Sequence, residues 1–163
     1  MTFEVARVGP TQWRAYRDIR LASLIDSPRA FGSTYAVAAR RTDADWRTFV
    51  GQASLWLALE GDRPLGTIGL YADPELPTGS IYLVGMWVAT QARGSGVGDG
   101  LVAAVLQEAR DRGLDRVVLH VAVDNAPAIG LYVRHGFAPT GRTGVLEWDA
   151  EVAEAEMALP LAR

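Results

Sequence analysis

Apolar positions recur along this chain with two different periods. "FEVARVG" (Phe3 to Gly9) alternates apolar and polar residues, the spacing of a half-buried strand. From Thr11 onward Trp13, Tyr16, Leu21, Leu24 and Ile25 return at helical spacing, and Pro28 marks the end of that helix. "SPRAFGSTY" (Ser27 to Tyr35) is rich in turn formers. Thr42 followed by Asp45 is an N-cap with an acid in the first turn, so a second helix is expected through Trp46, Phe49 and Val50. A hairpin follows, with strands at 54–60 and 64–71 about a Gly61-Asp62 turn. After the loop Asp73 to Gly79, "SIYLVGMWVA" is almost wholly apolar, which predicts a strand covered on both faces. Val97 to Arg112 is an amphipathic helix with Leu101, Val102, Val105, Leu106 and Ala109 on one face and Gly113 as its C-cap. "RVVLHVAV" (Arg116 to Val123) predicts another buried strand. Asn125 to His135 predicts a helix with Pro127 in its first turn and Gly136 at its end. "FAPTG" and "AEAEMALPL" close the pattern as strands.

The expected order is strand, two helices, a hairpin, then strand–helix–strand–helix–strand–strand. The strand–helix–strand unit at 80–123 implies parallel pairing with a right-handed crossover. The expected class is α/β (α+β) with a mixed sheet, and 163 residues suit one domain over 1–163.

Glycine marks the junction inside that unit. Gly94, Gly96, Gly98 and Gly100 occupy alternate positions where a helix must begin, although each glycine costs about 1 kcal/mol in a helix interior. At a helix N-terminus backbone N–H groups lack partners and the dipole is positive. Glycine lets the backbone turn sharply and approach a ligand closely. Together these predict an anion site suited to phosphate or pyrophosphate, with Arg93 adding a planar donor fork. A Walker A loop is excluded because it needs a lysine and this chain has none. The Rossmann spacing fails too, because Asp99 or Leu101 stands where its third glycine belongs. Gly100, further into the helix, is expected to tolerate alanine.

Composition narrows the chemistry. A net charge of −3 gives no electrostatic case for nucleic acid or an anionic membrane, and no apolar run reaches the ~18 residues needed to span a bilayer. The absence of cysteine removes disulfides, thiolate metal sites and cysteine nucleophiles. "MTFEVARVGPTQW" carries no secretory signal, so a cytoplasmic location is expected.

Two motifs carry a resemblance. Gln91-Ala92-Arg93-Gly94-Ser95-Gly96 resembles the Q/R-x-x-G-x-G/A signature of the GNAT superfamily of N-acetyltransferases. "DNAPAIGLYVRHGF" is similar to that family's N-x-x-A-x-x-x-Y-x-x-x-G-F segment, with Asn125, Ala128, Tyr132, Gly136 and Phe137 in place. "RLASLIDSPRAFGSTY" and "EMALPL" resemble its early helical region and last strand. The resemblance implies a central, mostly antiparallel sheet with parallel pairing at two splayed strands, flanked by about four helices. It implies transfer of acetyl from acetyl-CoA to a primary amine of a small molecule by direct attack in a ternary complex, with no metal. A protein or peptide N-acetyltransferase and a non-catalytic acyl-CoA sensor are the alternatives, and a homodimer stays open.

The resemblance also assigns residues. The backbone of Arg93, Gly94, Ser95, Gly96, Val97 and Gly98 would hold the pyrophosphate. A bulge at Gly85 would splay its strand, so that pantetheine pairs along Met86, Trp87 and Val88. Asn125 and Ala128 would face the same cofactor, with Asn125 serving as N-cap, pantetheine contact or both. Tyr132 would protonate the departing thiolate. The base is less defined. An amine of pKa ~10.4 is free in about one molecule in 2,500 at pH 7, so a proton must be removed. The strand before the loop offers no acid, which leaves Tyr82 through a water chain or Glu147 as candidates. "SPRAFGSTY" (with Phe31 and Tyr35) and a loop from Arg142 to Asp149 would line the acceptor pocket. His120 reads as a satisfied core histidine, His135 as a structural group beside a capping glycine, and the late acids Glu147, Asp149, Glu151, Glu154 and Glu156 as a solvated face.

Overall fold

The computed structural model describes residues 1–162. Seven strands form one sheet: β1 (Glu4–Arg7), β2 (Ser54–Glu60), β3 (Arg63–Tyr71), β4 (Ser80–Val88), β5 (Arg116–Ala122), β6 (Ala138–Leu146) and β7 (Asp149–Pro160). Their spatial order is β1-β2-β3-β4-β5-β7-β6, and every neighbouring pair is antiparallel except β4 with β5. Five helices flank it: α1 (Trp13–Asp26), α2 (Tyr35–Ala39), α3 (Asp43–Gln52), α4 (Val97–Asp111) and α5 (Ala126–Arg134). Among the described residues, no helix is long and apolar enough to cross a membrane.

Period-two alternation sends side chains to two separate cores. In β2, Leu55 and Leu57 join Trp13, Tyr16, Ile19 and Leu24 of α1 and Trp46 and Val50 of α3. Trp56 and Ala58 point the other way, into a core built on α4. There Leu101, Val102, Val105, Leu106 and Ala109 of α4 meet Ile81, Leu83, Val117, Leu119 and Val121, together with Leu131 and Tyr132 of α5. α1, α2 and α3 therefore lie on one face of the sheet, α4 and α5 on the other. Thr42 and Asp45 form a reciprocal capping box at the start of α3, as their spacing predicts.

Four expectations need correction. The turn-rich segment before Thr42 contains α2, five residues long, whose N-cap Thr34 accepts a hydrogen bond from Val37 N–H at 3.3 Å. Residues 142–146 belong to β6, so the β6–β7 connection is only the turn at Glu147 and Trp148. That strand is exposed at every position but Leu146; its first half is expected from "FAPTG", but residues 142–145 carry no apolar rhythm to extend it. β4 is not covered on both faces: Val84 is exposed, and Met86, Trp87 and Val88 are half-buried. Gly100 is a packing glycine, because a Cβ there would stand 3.0 Å from Phe3 Cε2. Alanine at this position requires the Phe3 ring to shift.

The exposure of β4 has a geometric cause. Its parallel pairing with β5 covers only Ser80–Tyr82 against Arg116–Val118. Gly85 then adopts φ +63°, and the register with β3 slips by one residue between Gly69↔Val84 and Thr67↔Trp87. A left-handed glycine opposite one extra residue is a bulge, which bends the strand and raises its twist. β5 meanwhile stays paired with β7 along its whole length. The two central strands therefore diverge and leave a V-shaped cleft toward their C-terminal ends.

One ion-pair cluster ties α1 to the far end of β4. The carboxylate of Asp26, the last residue of α1, accepts from Arg93 Nη2 at 2.7 Å and from Trp87 Nε1 at 3.0 Å. The Ser27 hydroxyl, the Trp87 indole and Arg93 together hold its pKa down to about 2. A carboxylate held down on folding stabilises the fold above its unfolded value near 3.8, and this contribution disappears as pH falls toward about 2. The melting temperature of Asp26→Asn should lie below that of the wild type at pH 6, and the gap should close as pH approaches 2. A gap independent of pH in thermal melts would contradict this role.

Candidate active site

The loop after β4 presents an unusual row of donors. Among the described residues, none of the N–H groups from Gly94 to Asp99 donates to a protein acceptor; the first bond of α4 runs from Gly100 N–H to Gly96 O at 3.0 Å. Gly94 and Gly96 sit at φ +77° and +88°, and a Cβ on either would meet nothing within 4 Å. The alternating glycines therefore divide by role. Gly94 and Gly96 provide the left-handed turns that aim these amides outward into open space. Gly98 and Gly100 allow close packing: a Cβ on Gly98 would stand 3.3 Å from both Met86 Cε and Leu131 Cδ2. Open space, free N–H groups and the positive end of a 15-residue helix fit an anionic phosphate.

The side chains around this loop serve mainly to fix it. Arg93 Nε donates to Val88 O at 2.9 Å while its other arm holds Asp26, so the guanidinium expected at the anion braces the loop instead. The Ser95 hydroxyl donates to Ala92 O, and the Val97 side chain is buried in the core. Asp99, in the first turn of α4, pairs with Arg134 at 3.2 Å and is in hydrogen-bond contact with His135 Nε2 at 2.9 Å. His135 is thus structural, as expected, and ties α5 to α4.

Across the cleft, Asn125 caps α5 with its Oδ1 accepting from Ala128 N–H at 3.3 Å, which leaves its Nδ2 without a protein partner. Tyr132 is 6% exposed, with its ring edge-on to Phe137 at 5.8 Å. Burial alone raises its pKa, and no protein group hydrogen-bonds its hydroxyl. It is a neutral phenol with a free donor.

The opposite face of the cleft holds a second set of groups. Ile81 and Leu83 join the α4 core, so Tyr82 projects toward the α1 side. Its ring lies 5.3 Å from that of His120, and His120 Nε2 is 3.4 Å from Glu156 Oε2. Thr140 Oγ1 donates to the other Glu156 oxygen at 2.9 Å. Burial, followed by the charge of Glu156, raises the Tyr82 pKa, so this phenol is neutral rather than an anion. Two expectations change here. His120 is exposed, because β4 has already diverged and nothing covers that position. Glu156 is not a solvated surface acid: its side chain is 13% exposed and engaged by two partners. Their pairing was hidden in the sequence because it depends on the β5–β7 register, which sets His120 opposite Glu156 from 36 residues away. A cavity of about 280 Å³ adjoins Glu156, lined by Leu76, Pro77, Arg116, Val118, Thr140 and Arg142.

The remaining acceptor candidates separate. Phe31 is buried, with the Arg20 guanidinium 4.6 Å above its ring, whereas Tyr35 is exposed at the start of α2. Glu147 is exposed at the β6–β7 turn and joins none of these groups. Beside it Trp148 Nε1 donates to Phe31 O at 2.8 Å, linking that turn to the segment after α1.

Comparison with known proteins agrees with this geometry. The family model for the acetyltransferase (GNAT) family matches residues 16–137. A mycothiol acetyltransferase of Pseudarthrobacter chlorophenolicus is 33% identical over 143 residues, covering 85% of this chain and 40% of that protein. The chain spans about half, or less, of the length of the curated relatives it matches. A GNAT-family acetyltransferase of Streptococcus pneumoniae superposes with a TM-score of 0.82 at 18% identity, covering 99% of this chain and 100% of that one. yncA of Salmonella typhimurium, solved with its cofactor acetyl-CoA, gives 0.79 at 16% identity, covering 100% and 96%. With its splayed β4/β5 pair, its glycine loop and a family match over most of its length, this chain belongs to the GNAT family of acetyltransferases.

Proposed function

We propose that this chain transfers the acetyl group of acetyl-CoA to a primary amine of a small molecule by direct attack within a ternary complex. The observation that carries this reading is the run of unused N–H groups from Gly94 to Asp99 at the mouth of the β4/β5 cleft. These amides would bind the pyrophosphate. The β4 edge at Met86, Trp87 and Val88, left unpaired by β5, would bind pantetheine as an added strand. Asn125 Nδ2 is free to reach the same chain from α5. The thioester would then sit at the base of the cleft, between Tyr132 on one side and Tyr82 and His120 on the other.

Positioning two substrates supplies much of the rate in such a reaction. The amine nitrogen forms a bond to the carbonyl carbon as the carbon–sulfur bond breaks. Tyr132 gives its proton to the departing thiolate. The amine's proton leaves through Tyr82 to the His120–Glu156 pair, which takes the place of the carboxylate missing from β4. The Trp148–Phe31 bond, which ties the β6–β7 turn to the segment after α1, supports a small acceptor over a protein surface.

Two comparisons test this reading. Gly96→Val imposes a branched side chain at φ +88° and should weaken CoA binding by an order of magnitude or more. Gly100→Ala should leave CoA affinity unchanged and register in the melting temperature instead, through Phe3. Calorimetric titrations in which both variants lose CoA affinity equally would remove the loop as the pyrophosphate site.

Tyr132→Phe keeps the ring and removes only the proton donor. It should lower kcat about 10–100-fold, toward the low end of general-acid contributions because a thiol is a fair leaving group. KM for acetyl-CoA should change little. The deficit should shrink with an acyl donor whose thiol is more acidic. Unchanged kcat under conditions where chemistry limits the rate would reduce Tyr132 to a packing residue.

A further inference from the structure

Arg20, in the middle of α1, is a half-buried cation without a counter-ion among the described residues. Its Nη1 is fully buried and has no hydrogen-bond partner. The guanidinium stacks 4.6 Å above the Phe31 ring, which fixes its plane but accepts none of its N–H groups. Every ion pair among the described residues involves other arginines or the histidines, so no carboxylate neutralises it. Burial lowers its pKa, and the nearby cation Arg41 acts in the same direction. A guanidinium cannot shed its charge at physiological pH, so burying it unpaired is costly unless an anion arrives from outside.

Its position says where that anion would lie. A Cβ built on Gly85 would stand 3.8 Å from Arg20 Nη1. The free N–H groups therefore lie over the β4 bulge, at the base of the cleft and on the α1 side. Tyr82, the entry to the His120–Glu156 pair, is three residues back along the same strand. One face of the cleft thus carries both a proton-accepting group and an unsatisfied cation.

We infer that Arg20 binds a carboxylate of the acceptor, so that the substrate is an amine that also carries a carboxylate, such as an amino acid or a close derivative. The inference rests on the acetyltransfer proposed above and names its acceptor class. One orphan guanidinium nitrogen matches a monoanion; a dianionic phosphate would leave excess negative charge buried beside Phe31. Arg20 acts here by recognition, orienting the amine toward the thioester.

The test compares L-amino acids of varied side chain with their α-carboxamides and their α-aminophosphonic acids, using wild type, Arg20→Met and Arg20→Lys. Acetyl transfer from acetyl-CoA is the first readout. The melting temperature of the CoA-loaded protein with each compound is the second. For the wild type, kcat/KM should favour at least one free acid over its amide by about 10–100-fold, the range of one charge-assisted hydrogen bond in a buried site. Arg20→Met should bring that ratio near unity while the melting shift produced by CoA alone persists. Arg20→Lys should retain part of the preference, and it replaces the methionine variant if that variant does not melt cooperatively. Acids that raise the melting temperature where amides do not, without any acetylated product, would sustain the carboxylate site and refute acetyl transfer. Equal use and equal binding of acids and amides by the wild type would overturn the inference. So would a preference for the phosphonates, or an acid preference that survives Arg20→Met.

Discussion

A left-handed glycine at position 85 sets the geometry on which the site depends. A strand in the middle of a sheet normally has both edges hydrogen-bonded, and such a strand has nothing left to offer a ligand. The bulge at Gly85 keeps β4 in register with β3 on one side while turning it away from β5 on the other. The result is an unpaired strand edge deep in a folded domain, where its polar groups require a partner. The glycine loop lies at the open end of this edge. The phenols and the His120–Glu156 pair lie around its closed end.

The two faces of the sheet are built for different work. On the α4 side, the glycines at positions 98 and 100 permit close packing, which holds the helix N-terminus firmly against β4, α5 and Phe3. Asp99, Arg134 and His135 reinforce this contact. On the α1 side, Asp26 locks Arg93 and Trp87 to the end of α1, which couples the loop to the acceptor face. The same helix carries Arg20. A ligand on the loop and a ligand over the bulge would thus be held against one rigid frame, which is what positioning catalysis requires.

Much of this was legible in the sequence, and the parts that were not have physical reasons. A glycine inside an apolar strand announces a bulge, and glycines before an amphipathic helix announce left-handed turns that leave its first amides facing outward. Both signals are local. Tyr132 and Asn125 follow from spacing along one short helix. His120 and Glu156 could not be paired without the β5–β7 register. Arg20 looks like any polar position of an amphipathic helix, and only tertiary packing shows that its guanidinium is buried over Phe31. Arg93 was legible as a cation beside the loop, but its commitment to Asp26 spans 67 residues and required the fold. The second half of β6 and the short α2 escaped because neither carries a strong hydrophobic rhythm.

The claim at the centre of this account is that the free backbone amides of the loop bind the cofactor's phosphates. A titration of isotope-labelled protein with CoA, followed by amide NMR, tests it residue by residue. The account predicts the largest shift changes at the N–H groups of Gly94 to Asp99, with a second group along Met86 to Val88. CoA binding that leaves the Gly94–Asp99 amides unmoved while perturbing another surface would contradict it.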